Sequence, residues 1–305
     1  MSAPLDASHH ARSQTVSSRR EALKRLTQLS ALGLAASPIA RGLLAQGATP
    51  EDDPGGSGGA MVRNCGVQLY TVRAEMQKSV EATLARVASI GYKEVEFAGY
   101  FGRTPRQVAD ALKANGLTAP SVHIALGEIA EHTGKVLDAM GVMGHRYAVV
   151  PSIEARERTS LDSYRRIADQ FNALGAATKQ RGIQFAYHNH DFEFASIDGG
   201  VPYDVLLSRC DRALVMFEMD LYWINKAGRN PLDYFARHQG RFPLVHVKDM
   251  QRDGTMTEVG AGTLPFAKYV SKGPLAGIAH YFVEHDNPTD AFASIAASYK
   301  ALSAL

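Results

Sequence analysis

The sequence predicts an α/β fold, a single (β/α)8 barrel domain, and three observations carry that prediction. From Asn64 onward, short β-branched or aromatic runs alternate with longer amphipathic stretches, the pattern of repeated βα units around a parallel sheet. Eight such runs can be drawn. With the first sixty residues set aside, the remaining length suits one barrel rather than two ordinary domains.

The elements follow in order. Residues 65–69 (CGVQL) form the first strand, a helical stretch over 80–90 ends at Gly91, and residues 94–98 (EVEFA) form the second strand. Pro105 suits the first turn of a helix over 105–115, which closes at Gly116 before the third strand at 119–123 (APSVH). Residues 147–151 (YAVVP) are the fourth strand, and a long helix over 161–181 closes at Gly182 before the fifth at 184–188 (QFAYH). The sixth is 214–220 (LVMFEMD), a helix over 231–239 follows, and 244–247 (LVHV) and 278–284 (IAHYFVE) complete the set. Gly91, Gly116 and Gly182 each stand between a helical pattern and a strand, where a helix C-cap is wanted. A doubly wound open sheet would place a Gly-rich phosphate loop after its first strand. Here that strand ends Gln68-Leu69-Tyr70-Thr71, and the glycines at 55–59 precede every strand.

The first 46 residues read as a cleavable export signal. Ser18-Arg19-Arg20-Glu21-Ala22-Leu23-Lys24 introduces an uncharged, mildly apolar run over 26–40, and this three-part form resembles a twin-arginine signal, with Ala22 where that motif often has Phe. The run is too short for stable membrane insertion, which takes roughly 20 strongly apolar residues. Residues 47–60, GATPEDDPGGSGGA, form a Gly/Pro-rich linker, the barrel occupies 61–305, and a periplasmic or secreted location is expected.

Charge narrows the partners. The signal holds six of the 33 basic and two of the 31 acidic residues, so the rest of the chain carries 27 and 29. That slightly acidic body lacks the basic stripe that nucleic acid requires. Export permits a disulfide, yet Cys65 opens the first strand and Cys210 precedes the sixth, so two free, partly buried thiols are expected. The sequence leaves homo-oligomer formation open.

In such barrels the working side chains stand at the C-terminal strand ends. Five strands close on polar residues: Glu94-Val95-Glu96, the fifth in Tyr187-His188-Asn189-His190, Glu218-Met219-Asp220, His246-Val247-Lys248-Asp249 and Glu284-His285-Asp286. Alternation puts His188 with His190, Glu218 with Asp220 and His246 with Lys248 on common faces. Converging imidazoles and carboxylates are a mixed N/O set for a first-row divalent ion, Mn2+ first, with Zn2+, Co2+ or Mg2+ as alternatives, and unsuited to Ca2+.

The segments VQLYTVR, EVEFAGYFG, YHNHDFEF, HVKD, VGAGTLPF and FVEHD resemble the xylose-isomerase-like TIM barrels, which include sugar isomerases, sugar-phosphate epimerases and inosose dehydratases. That resemblance implies a metal held by Glu, Asp, His and Glu from the last four strands. Asp220, His246 and Glu284 match the last three; His188 stands where the first Glu belongs, with His190 and Glu193 nearby. The implied activity is metal-dependent isomerisation or epimerisation of a keto or aldo sugar through an enediolate, with Glu284, Lys248, His188 and Glu96 as acid/base candidates. His123, His190, Trp223 and Gln68 are the expected sugar contacts. The His at the first ligand position and the YHNH and HVKD segments favour a dehydratase or lyase as the alternative, acting on inosose-like compounds or 3-keto-glycosides. A catalytically inactive sugar-binding protein is the rival from another class. An ordinary solvated pair is the alternative reading of Lys248 and Asp249.

Overall fold

The computed structural model describes Val62 and residues 65–305; the expected export signal and linker lie outside the described residues. Eight strands form a closed, all-parallel barrel: β1 (Cys65–Gln68), β2 (Glu94–Phe97), β3 (Thr118–His123), β4 (Tyr147–Val150), β5 (Gln184–His188), β6 (Val215–Asp220), β7 (Leu244–Val247) and β10 (His280–Val283). Their order around the barrel is β1-β10-β7-β6-β5-β4-β3-β2. An antiparallel hairpin, β8 (Asp249–Met250) with β9 (Met256–Thr257), rises from the end of β7. Every expected strand is present to within about two residues. The largest trim falls on β10, and β6 starts one residue late. An Asp211 turn holds the Ala213 N–H before β6, and the Ile278 N–H bonds back to Gly273 rather than to a neighbouring strand.

Helices form the outer ring, and local chemistry fixes where they start. Ser79 accepts from the Ala82 N–H at the head of Val80–Ile90. Thr104 and Gln107 form a reciprocal cap with Pro105 in the first turn of Pro105–Ala114, and Ser160 and Ser163 do the same for Leu161–Lys179. The main apolar core lies between strands and helices. Both thiols are free and buried, as the sequence suggests, and burial pushes Cys65 and Cys210 up to about 12. Among the described residues no helix is long and apolar enough to cross a membrane.

Inside the barrel the side chains lie in layers. Val149, Ala186, Leu244 and Phe282, flanked by Tyr147 and Met216, make an apolar plug separate from the main core. Gly66 is required there, since a Cβ would stand 2.5 Å from the Phe282 ring. Two residues further along each strand, the inward positions turn polar: Gln68, Glu96, Ser121, Glu218 and His246, all buried. The plug closes the barrel from below, so this polar layer opens only towards the C-terminal mouth.

Candidate metal centre

Two clusters of ligand-type residues form at that end. The outer one joins His188, Asp220, His246 and Glu284; the inner one joins Glu96, His123, Glu218 and His246. The four residues expected as ligands are therefore brought together as one group, and His246 belongs to both clusters. Register explains the convergence: Asp220 is the partner of His246 across β6–β7, and Glu284 follows β10 directly.

The hydrogen bonds of the two outer imidazoles decide what the cluster can do. His188 directs Nδ1 at the Pro151 carbonyl oxygen, 3.1 Å away, leaving Nε2 facing Asp220 Oδ2 at 3.2 Å. His246 directs Nε2 at Glu96 Oε2, 2.6 Å away. Its Nδ1 is buried without a hydrogen-bond partner, although Glu284 Oε2 lies 2.7 Å from it and Asp220 Oδ2 3.9 Å. Each ring thus commits one N–H to an acceptor and turns its other nitrogen towards carboxylate oxygens. A ring nitrogen facing a carboxylate calls for a proton or a metal ion between them, and a carboxylate or carbonyl behind the ring is the usual support for a ligating histidine. Ligand atoms around one ion at about 2.1 Å stand roughly 3 to 3.5 Å apart, close to the spacings here. The residues fit a divalent ion.

The inner cluster supports rather than extends this centre. Glu96 Oε2 accepts from Gln68 Nε2 at 2.8 Å as well as from His246, and its Oε1 accepts from Ser121 Oγ. Gln68 is itself held, because its Oε1 accepts the Tyr70 N–H at 3.1 Å. His123 Nε2 lies 2.7 Å from Glu218 Oε2 and 3.3 Å from Glu96 Oε2. Burial alone would lower the His246 pKa, but Glu218, Glu284 and Glu96 together raise it well above the ordinary histidine range. The same balance, with Lys248 as its main opponent to burial, lowers the Asp220 carboxyl to about 2.

A cavity of about 450 Å3 opens above the outer cluster. Of the residues proposed from sequence, His123, His188, His190, Lys248 and Glu284 line it, while Asp220 and His246 lie fully buried beneath. Glu96 and Gln68 do not reach the cavity; both have zero exposure in the inner layer, which makes Glu96 a support for His246 rather than an acid/base group. Trp223 also stands off the cavity wall, behind His190 at a ring separation of 5.5 Å. Tyr70 takes the aromatic position instead, exposed at the mouth with the Arg73 guanidinium 4.0 Å over its ring. Burial lowers His190 to about 3, so this ring is neutral at ordinary pH.

Other expectations shift with the geometry. Glu193 is no substitute ligand: it turns away to accept from the Tyr187 hydroxyl and the His190 N–H. Lys248 and Asp249 are not a solvated pair, since both are buried. Lys248 Nζ meets Glu284, Asp286 and Asp220, whereas Asp249 accepts the backbone N–H groups of Gly260, Gly262 and Leu264 and so shapes the VGAGTLPF loop. A Cβ on Gly262 would stand 2.3 Å from Asp249 Oδ1, so only glycine fits. Sequence reasoning left Glu218, Ser121 and Tyr70 out of the site. The period-2 link of Glu218 to Asp220 and of Ser121 to His123 was the available signal.

Comparison with known proteins agrees with this architecture. The family model described as xylose isomerase-like TIM barrel matches residues 84–272, more than half of the chain. An inosose dehydratase of Clostridium perfringens is 23% identical over 217 residues, covering 65% of this chain and 72% of its own. The crystal structure of a sugar phosphate isomerase/epimerase from Parabacteroides distasonis has a TM-score of 0.71 at 23% identity, covering 84% of this chain and 98% of that one. The IolI protein with a bound zinc atom is alike in fold at a TM-score of 0.65 and 13% identity, over 78% of this chain and 96% of its own. The chain belongs to the xylose isomerase-like TIM barrel family.

Proposed function

We propose that the protein is a divalent-metal-dependent enzyme that moves a proton next to the carbonyl of a keto or aldo sugar, as an isomerase or epimerase. The observation that carries this reading is the pair of committed imidazoles, His188 and His246, whose free nitrogens face Asp220 and Glu284 at the floor of the cavity. Held by these four residues, an ion such as Mn2+ would supply Lewis-acid polarisation of a substrate carbonyl.

The remaining work falls to the cavity wall. Glu284 and Lys248 lie 2.7 Å apart at the same edge, so a proton can be taken by one and supplied by the other. His123 and the neutral His190 can hydrogen-bond sugar hydroxyls. Among the described residues, Lys248 is the single Lys or Arg lining the cavity, and three carboxylates already engage it. That favours an uncharged sugar or glycoside over a sugar phosphate, in keeping with the export proposed from the Arg19-Arg20 segment.

Elimination is the second reading. His188 replaces a carboxylate at the first ligand position, and the cavity carboxylates, Glu284 and Asp286, both follow β10. Two-base epimerisation uses groups on opposite faces of the substrate, whereas loss of a β-hydroxyl or glycosyl group can be served from one side. The inosose dehydratase relative supports the same class. The test is NMR in D2O with ketoses, inosose and 3-keto-glucosides, in Mn2+ and then in EDTA. Metal-dependent deuterium uptake with an intact skeleton identifies an isomerase or epimerase, loss of water or aglycone a lyase; no turnover of any of them contradicts the proposal and favours a binding protein.

A further inference from the structure

Among the described residues, one lysine ammonium of the chain lies within the proposed ligand set. The Lys248 ammonium stands 2.7 Å from Glu284 Oε2, 2.9 Å from Asp286 Oδ1 and 3.0 Å from Asp220 Oδ2. Two of these oxygens are the atoms that face His246 Nδ1 and His188 Nε2. An ion bound there and the ammonium therefore draw on the same two carboxylate oxygens.

The third partner differs. Asp286 is outside the ligand cluster, and its side chain is 25% exposed against 0% for Asp220 and 6% for Glu284. Its loop is anchored, because Arg73 donates to the Asp286 carbonyl oxygen at 2.8 Å and to Asn287 Oδ1 at 2.9 Å. The carboxylate is thus a standing acceptor at the edge of the site.

We propose that Asp286 is a positioning residue for the metal centre, acting through Lys248: it gives the ammonium a place to remain paired while Asp220 and Glu284 turn to the ion. In the metal-free chain Lys248, alongside His246, helps to neutralise two buried carboxylates, which would otherwise repel one another. In the loaded chain the ion takes over that task and the lysine charge is met by Asp286. The inference rests on the metal reading above.

The test is a double-mutant cycle read as Mn2+ affinity by calorimetry, with thermal unfolding in EDTA alongside. Lys248→Met should tighten Mn2+ by at least about tenfold, since a like charge leaves the site, and should lower the Tm of the metal-free protein. Asp286→Asn, at a partly exposed position, should weaken Mn2+ by about fivefold or more, and Asp286→Glu should restore it. In the Lys248→Met background Asp286→Asn should change affinity by less than about twofold. Equal weakening in both backgrounds would show that Asp286 acts by its charge alone and would overturn the proposal, as would unchanged or weaker binding by Lys248→Met. If Lys248→Met does not fold in EDTA, the Asn and Glu variants of Asp286 decide: weakening without rescue by Glu overturns it. A wild-type chain that binds no Mn2+ refutes the metal reading itself, and the proposal with it.

Discussion

Glu193 makes the stability of this barrel depend on pH in a direction opposite to that of most carboxylates. It sits in the turn Phe192–Phe194 after β5, fully buried, accepting from the Tyr187 hydroxyl and from the His190 N–H at 2.8 Å. Burial raises its pKa from 4.5 to about 7, against the opposing hydrogen bonds and Arg158. Below pH 4.5 the group is protonated in both folded and unfolded chains and contributes no pH dependence. Between 4.5 and 7 the unfolded chain gives up the proton first, so stability falls as pH rises; above 7 the penalty is complete, about 3 kcal/mol at 1.36 kcal/mol per pH unit. Glu193→Gln removes the titration and keeps one acceptor oxygen. Urea unfolding in EDTA at pH 5 and pH 8 should therefore show the Gln variant gaining about 2 to 3 kcal/mol on the wild type between the two pH values. A difference that stays constant to within about 0.5 kcal/mol would refute the reasoning.

Three further outcomes follow from the same geometry. Glu96→Gln should weaken Mn2+ binding about 10- to 100-fold, measured by calorimetry, because the acceptor that orients His246 loses its charge. Asp220→Asn should lose the metal and keep the helix Leu221–Lys226 capped through the Tyr222 and Trp223 N–H groups, each 2.9 Å from Oδ1; Asp220→Ala should lose about 1 kcal/mol more on denaturation. Gly66→Ala should cost about 1 to 3 kcal/mol in the same assay, since its Cβ would meet the Phe282 ring in the barrel plug.

Strands and their C-terminal ends were legible in the sequence because a parallel barrel buries both faces of each strand and leaves turn residues between them. Alternation showed which residues of one strand share a face, while the set His188, Asp220, His246 and Glu284 came from the resemblance to the xylose-isomerase-like barrels; the structure brings these four together. Depth was not legible. Whether an inward residue lies at the mouth or one layer below depends on the stagger between neighbouring strands, and that register puts Glu96 beside Ser121 and Gln68, beneath the cavity. Trp223 was misplaced for a related reason. Asp220 both ends β6 and caps the next helix, so from Leu221 onward the side-chain period changes from two to 3.6 and Trp223 turns towards His190 and Tyr222. Tyr70 lies beyond the end of β1, where strand alternation no longer says which way a side chain points.

The central claim, that His188, Asp220, His246 and Glu284 hold one divalent ion, is tested most directly by the metal content of the protein after equilibrium dialysis against Mn2+. One ion per wild-type chain and none in His246→Ala, with the variant still folded by circular dichroism, is the expected result; full metal content in His246→Ala would contradict it.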